Sequence, residues 1–140
     1  MMQVFFDTNV IIDVVVKREP HFAASSALLS YAEKGVIEGL VSAISFNNLH
    51  YIIERVSDRK KARQAVSFLR NICKIVPLDG RIIGEAADSD IADFEDAIQF
   101  FSAIHCDADY LVTRNVKDFP QEDFPVLEPE EFLALDLDFN

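Results

Sequence analysis

The sequence predicts an α/β protein: a three-layer α/β/α sandwich with a mainly parallel sheet of about five strands. Three observations carry this reading. Short β-branched and aromatic runs alternate with longer stretches of helical periodicity, the pattern of βαβ units with helices on both faces of a sheet. Right-handed crossovers then bring the C-terminal ends of the strands to one edge. The first such run, Val4-Phe5-Phe6, stops at Asp7, and a second apolar run begins just past Thr8-Asn9. A carboxylate at the tip of a buried strand stands where open α/β sheets bind ligands.

Each element follows from local pattern. Residues 3–6 read as the first strand and Val10 to Val16 as a short helix over the sheet. Lys17-Arg18-Glu19-Pro20 is a polar break with a proline stop. Ala24, Ala27, Leu28 and Tyr31 repeat at helical spacing within a helix from Ala23 to Lys34, which Gly35 ends. Gly39 to Ser42 is the second strand. Phe46, Leu49, Ile52, Ile53 and Val56 make one apolar face of a helix from Ser45 to Val56, with Ser45 as its N-cap. A second amphipathic helix, Arg59 to Cys73, buries Ala62, Ala65, Val66, Leu69 and Ile72. It turns Arg59, Lys60, Lys61, Arg63 and Arg70 outward. Lys74 to Pro77 is the third strand, Arg81 to Asp88 a short helix, and Asp93 to His105 another with Ala97, Ile98, Phe101 and Ile104 inward. Asp109 to Thr113 is the fourth strand, Arg114 to Phe119 a polar turn, and Pro125 to Leu127 the last strand. Pro129 opens a terminal helical turn through Leu135, after which the tail is expected to fray.

Composition bounds the function. The chain has 140 residues, half of them hydrophobic, enough for one core; it reads as a single domain over 1–140. Its net charge is -11, which repels nucleic-acid backbones, so any such role needs a local site, a cation or an oligomer. The segment from Asp88 to Asp109 holds seven acids and no Lys or Arg. Cys73 and Cys106 read as reduced core thiols. The N-terminus lacks a basic leader, and no apolar run reaches the ~18–20 residues of a membrane span. A soluble, cytoplasmic protein is the expectation.

Chemistry concentrates in three places. Asp7-Thr8-Asn9 is either a hard-cation ligand with its supports or a helix cap and turn. Asp93 and Asp96 lie three apart at a helix start. The pair can hold a divalent ion, and Asp93 can equally cap the helix. In Leu111 to Phe119, Thr113 and Asn115 can donate to phosphate or order a metal's water shell. Asp118 is either a distal ligand or an Asx turn. His21, His50 and His105 lack ligand spacing and read as structural. Phosphate-loop, dinucleotide and hydrolase-elbow motifs are absent from the sequence.

Taken in order, these pieces resemble the PIN domain family, in particular the small single-domain proteins that include VapC-type toxins. The resemblance spans nearly the whole chain. It implies a Mg²⁺- or Mn²⁺-dependent ribonuclease with acids at one sheet edge, Asp7 and Asp96 being the two that match the family's acids. Asp93 would be a supplementary metal ligand. Thr8, Asn9, Asn48, Thr113, Asn115 and Asp118 would position water or phosphate. Lys17, Arg18, Arg114, Lys117 and the basic 59–73 face would guide RNA. The resemblance further implies a homodimer and an antitoxin protein as partner. Two positions depart from the family pattern: Asn48 stands where a Glu is usual, and Asn115 where an acid is often found. A catalytically weak PIN-like module that binds protein or RNA is therefore the competing expectation. A haloacid-dehalogenase-like phosphatase would need an acid at Asn9, and a receiver domain an acidic pair after the first strand.

Overall fold

Side-chain alternation along short strands sets the layers of the molecule. The computed structural model describes residues 1–135. Its strands β1 (Gln3–Phe6), β2 (Glu38–Ser42), β3 (Cys73–Val76), β4 (Tyr110–Val112) and β5 (Val126–Leu127) form one parallel sheet, ordered β3-β2-β1-β4-β5. Val4 and Phe6 of β1, Val41 of β2 and Val112 of β4 face one way. Phe5, Leu40, Leu111 and Val126 face the other. Both faces are therefore covered, as an all-parallel sheet requires.

The first face packs against α1 (Thr8–Val15), α2 (Phe22–Glu33), α3 (Ala43–Val56), α4 (Arg59–Ile72) and α7 (Pro129–Leu133). The second packs against α6 (Phe94–His105), together with Phe119 and Phe124 from the β4–β5 connection. The helix α5 (Gly80–Ala87) joins α6 through Ile82, Ala86, Ala97 and Ile98. A 3-10 turn at Val116–Asp118 lies in the β4–β5 connection. Among the described residues, no helix is long and apolar enough to cross a membrane. The tail beyond Leu135 lies outside the described residues.

Helix starts follow capping chemistry. Asp58, Asp79 and Asp93 each accept from a backbone N–H three residues on, at 2.8, 3.0 and 3.0 Å. One expected cap is corrected. Ser42, not Ser45, caps α3: it is extended and its Oγ accepts from the Ile44 N–H at 3.3 Å. The helix starts at the end of β2 without an intervening loop, so Ser45 falls inside its first turn and is buried. Element ends otherwise differ from expectation by one or two residues.

Gly39 sits mid-strand, in register with Val4 on one side and Cys73 on the other. A Cβ there would meet Cys73 Sγ at 2.8 Å, Phe6 Cε2 at 2.9 Å and Ala32 Cβ at 3.1 Å. The glycine lets α2 lie close on the sheet. Gly39→Ala overpacks this point and is expected to lower stability by about 1–3 kcal/mol. A shift of the urea midpoint at unchanged slope is the measurement; no shift would mean that the layer yields freely.

Candidate active site

β1 is the central strand, and the chain leaves it toward β2 on one side while β4 fills the other. This is a topological switch point, and a crevice opens beyond the strand ends there. Asp7 stands at that end of β1. It is 4% exposed, and its two carboxylate oxygens are held from different segments. Oδ1 accepts from the Thr8 N–H at 2.7 Å, which also caps α1. Oδ2 accepts from the Thr113 hydroxyl at 2.8 Å. The capping and ligand readings of Asp7 are thus compatible, since each oxygen keeps a lone pair.

Thr113 is a hub. Its Oγ1 also accepts from Asn9 Nδ2 at 3.4 Å and from the Asn115 N–H at 3.1 Å. Asn9 Oδ1 in turn accepts from the Arg114 N–H at 3.3 Å. Thr8 turns the other way: its Oγ1 lies 2.6 Å from Ser45 Oγ, and Gln99 Nε2 donates to both hydroxyls at 2.9 Å. Ser45 and Gln99 are buried, so this knot ties α1 to α3 and α6 behind the site.

In front lies a cleft of about 1080 Å³. Asp7, Thr8, Asn9, Asn48, Asp93, Asp96, Asn115 and Asp118 all line it, so eight of the nine predicted site residues share one space. The ninth, Thr113, lies buried behind Asp7. The cleft is also lined by Asp90 and Glu95, which sequence reasoning did not single out, and by one cation, Lys117. Asp93 accepts from the Asp96 N–H as the cap of α6. No hydrogen bond or ion pair engages the Asp96 carboxylate among the described residues.

Burial and crowding raise both central acids. Burial pushes Asp7 up to about 6; the Thr113 and Thr8 bonds pull it back, Glu95 adds to the rise, and Arg114 opposes it. Asp96 rises to about 7, from burial first and then from Asp7, Asp93, Asp118 and Glu95.

The basic residues divide differently from expectation. Arg114 and Arg18 are committed to Asp13, a fully buried acid of α1, with Arg114 Nε at 2.5 Å and Arg18 Nη1 at 3.6 Å. The pair joins α1 to the segment carrying Thr113 and Asn115. Asp13 was legible as an acid interrupting the apolar run Val10 to Val16. No α4 residue lines the cleft, and Arg63 donates to His50 Nε2 at 2.9 Å. The structural reading of His105 agrees with its 2.6 Å contact to Glu85.

A family model described as "PIN domain" matches residues 3–117. The chain belongs to the PIN domain family. No curated protein matches it by sequence. Among solved structures it is similar to VapBC2 from Rickettsia felis bound to a promoter DNA fragment, with a TM-score of 0.70 at 18% identity. That match covers 91% of this chain and 98% of the other. A toxin–antitoxin complex from Klebsiella pneumoniae gives 0.67 at 22% identity, covering 90% and 97%. The VapC20 toxin of Mycobacterium tuberculosis, which cleaves the sarcin-ricin loop, gives 0.63 at 12%, covering 77% and 86%. At such identities the likeness carries the fold.

The donor set can be weighed against the metal that PIN nucleases generally require. Among the described residues, no three His, Cys, Asp or Glu side chains converge as a metal cage. Of the six carboxylates that line the cleft, Asp7 and Asp96 share it with the amides of Asn48 and Asn115. All are hard oxygen donors. A small divalent cation that keeps several waters and needs one or two carboxylates fits such a set.

The raised acids give a pH dependence of fixed sign. A folded-state value above the unfolded one means that the native protein holds the extra proton between about pH 4 and 7, so stability falls as pH rises through that window. For Asp7 the linkage is on the order of 3 kcal/mol. Metal-free protein is expected to be more stable at about pH 5 than at about pH 8, and Asp7→Asn to remove much of the difference. Urea denaturation at both pH values tests this; an unchanged slope in Asp7→Asn would mean that Asp7 is not the titrating group.

Proposed function

We propose that this chain is a divalent-metal-dependent ribonuclease, and the toxin of a toxin–antitoxin pair. The observation that carries the reading is the meeting of Asp7 and Asp96 in one cleft, both raised by burial and by neighbouring acids. Such a site favours a cation, and only with the cation can it admit an anionic phosphodiester. Family membership and the likeness to the Klebsiella and Rickettsia complexes and the Mycobacterium toxin support it. Exposed Val56, Phe68 and Ile75 supply apolar surface for an antitoxin segment or a second copy.

Asp7 and Asp96 would hold Mg²⁺ or Mn²⁺, with Asp93 as a supplement. When bound, the ion polarises the scissile phosphate and lowers the pKa of an attacking water. The chain's own residues do the rest. Thr113 and the Thr8 N–H fix the Asp7 carboxylate, while Asn48, Asn115 and Asp118 face the space where water and phosphate would lie. Asn9 holds the Arg114 backbone and so the approach of that segment.

The competing reading, a PIN domain that binds without cutting, has one observation in its favour: amides rather than acids at Asn48 and Asn115. Cleavage of single-stranded or structured RNA in Mn²⁺, lost in Asp7→Asn by at least about 100-fold, is the expected outcome. Titration calorimetry should find Mg²⁺ or Mn²⁺ binding that needs Asp7. Native protein that neither cuts RNA nor binds metal would end the enzyme reading. Metal or RNA binding without cleavage would favour the binding module.

Asn48→Glu adds a carboxylate to the cleft on the α3 side, beside Asp7 and Asp96, and is expected to tighten Mn²⁺ binding by about 10-fold, read by calorimetry. Unchanged affinity would place Asn48 outside the metal's reach.

A further inference from the structure

The α3 wall of the cleft carries a feature that metal chemistry does not use. Asn48, Tyr51, Ile52 and Arg55 recur at intervals of three and four, so they share one helix face. The first three line the cleft. Tyr51 is 57% exposed, whereas Phe100 and Phe119, also in the lining, are each 4% exposed and belong to the core. Its ring is therefore open to a ligand in a way that theirs are not.

Arg55 completes the feature. Its guanidinium carbon lies 5.5 Å from the Tyr51 ring centroid, and Nη1 donates to the Tyr51 hydroxyl at 3.0 Å. No carboxylate pairs with Arg55 among the described residues. The acids of the cleft come from Asp7, from the segment joining α5 to α6, from the first turn of α6 and from Asp118. The α3 residues that line the cleft bring none. An anionic strand entering this cleft meets the least repulsion along α3.

We propose that Tyr51 and Arg55 form a subsite for single-stranded RNA, in which the Tyr51 ring stacks one unpaired base and Arg55 meets a neighbouring phosphate. The proposal rests on the ribonuclease reading and names the form of RNA that reads best at that site. An aromatic ring can stack only a base freed from a duplex, and it does so with little regard to sequence because every base has a π face. A guanidinium held at the ring supplies the phosphate contact without new ordering of the side chain. Asn48 lies one helical turn from Tyr51, so the stacked nucleotide would adjoin the phosphate beside Asp7 and Asp96.

The test is binding of a short fluorescein-labelled single-stranded oligoribonucleotide, followed by anisotropy with Ca²⁺ in place of Mg²⁺. Tyr51→Ala is expected to weaken binding by about 5- to 10-fold, and Tyr51→Phe to stay near the native value because the ring remains. Arg55→Ala should weaken binding and flatten its salt dependence by about one phosphate's worth. Replacing one nucleotide by an abasic site should erase the difference between native protein and Tyr51→Ala at the register that stacks. The chain has three tyrosines and no tryptophan, so quenching of tyrosine emission on binding, absent in Tyr51→Ala, reads the stack directly. Equal affinity of native protein and Tyr51→Ala would overturn the subsite while leaving the ribonuclease reading intact, and would assign the exposed ring to a protein partner. An equal loss on duplex RNA would also overturn it. A native chain that binds no RNA would overturn the subsite; one that in addition neither cuts RNA nor binds metal would remove the ribonuclease reading with it.

Discussion

The hydroxyl of Thr113 is the interaction on which the sheet edge depends. It donates to Asp7 at the end of β1 and accepts from Asn9 and from the Asn115 N–H. A carboxylate buried at a strand end needs its lone pairs met, because the charged form loses its water. Thr113 meets one oxygen and the start of α1 meets the other. The same bonds fix the peptide that carries Asn115 and, farther on, Lys117 and Asp118. Asp7 is thus held from two sides, and the residues that hold it are themselves positioned by the holding.

Topology explains why this arrangement is available. Parallel pairing of β1 with β4 brings Phe6 into register with Val112, so the residues that follow, Asp7 and Thr113, meet at the same height. The α3 start is delivered by β2 on the other flank, which sets Ser45 against Thr8 and Asn48 toward the cleft. Helix α6 crosses beneath and contributes Gln99 to the buried knot and Asp96 to the open side. Three crossovers therefore converge on one eight-residue helix, α1, whose first residues carry most of the polar bonds.

Much of this was legible in the chain. Strand and helix periods gave the alternation, and Asp7 was visible as an acid ending an apolar run. The cap that Asp93 gives to α6 was visible from its place three residues before Asp96. Local pattern failed where two residues competed for one role. Ser42 and Ser45 both precede the α3 apolar face, and only the absence of a loop between β2 and α3 decides that Ser42 caps while Ser45 is buried against Thr8 and Gln99. It failed again for Arg114, which reads as a free cation beside Asn115. Its partner Asp13 lies far away in sequence, and only the fold brings them together. Charge counting therefore overstated the unpaired cations at this edge.

Asp13 and Arg114 have a consequence for how this chain can be altered. The acid is fully buried and the arginine mostly so, and neither is easily kept without the other, because a lone buried charge is far more costly than the pair. The two lie in different segments, yet they form one unit of inheritance. A chimaera that imports the turn after β4 from a relative must bring the matching end of α1 with it. Recombination breakpoints between these segments will be tolerated only where both parents carry the same pair.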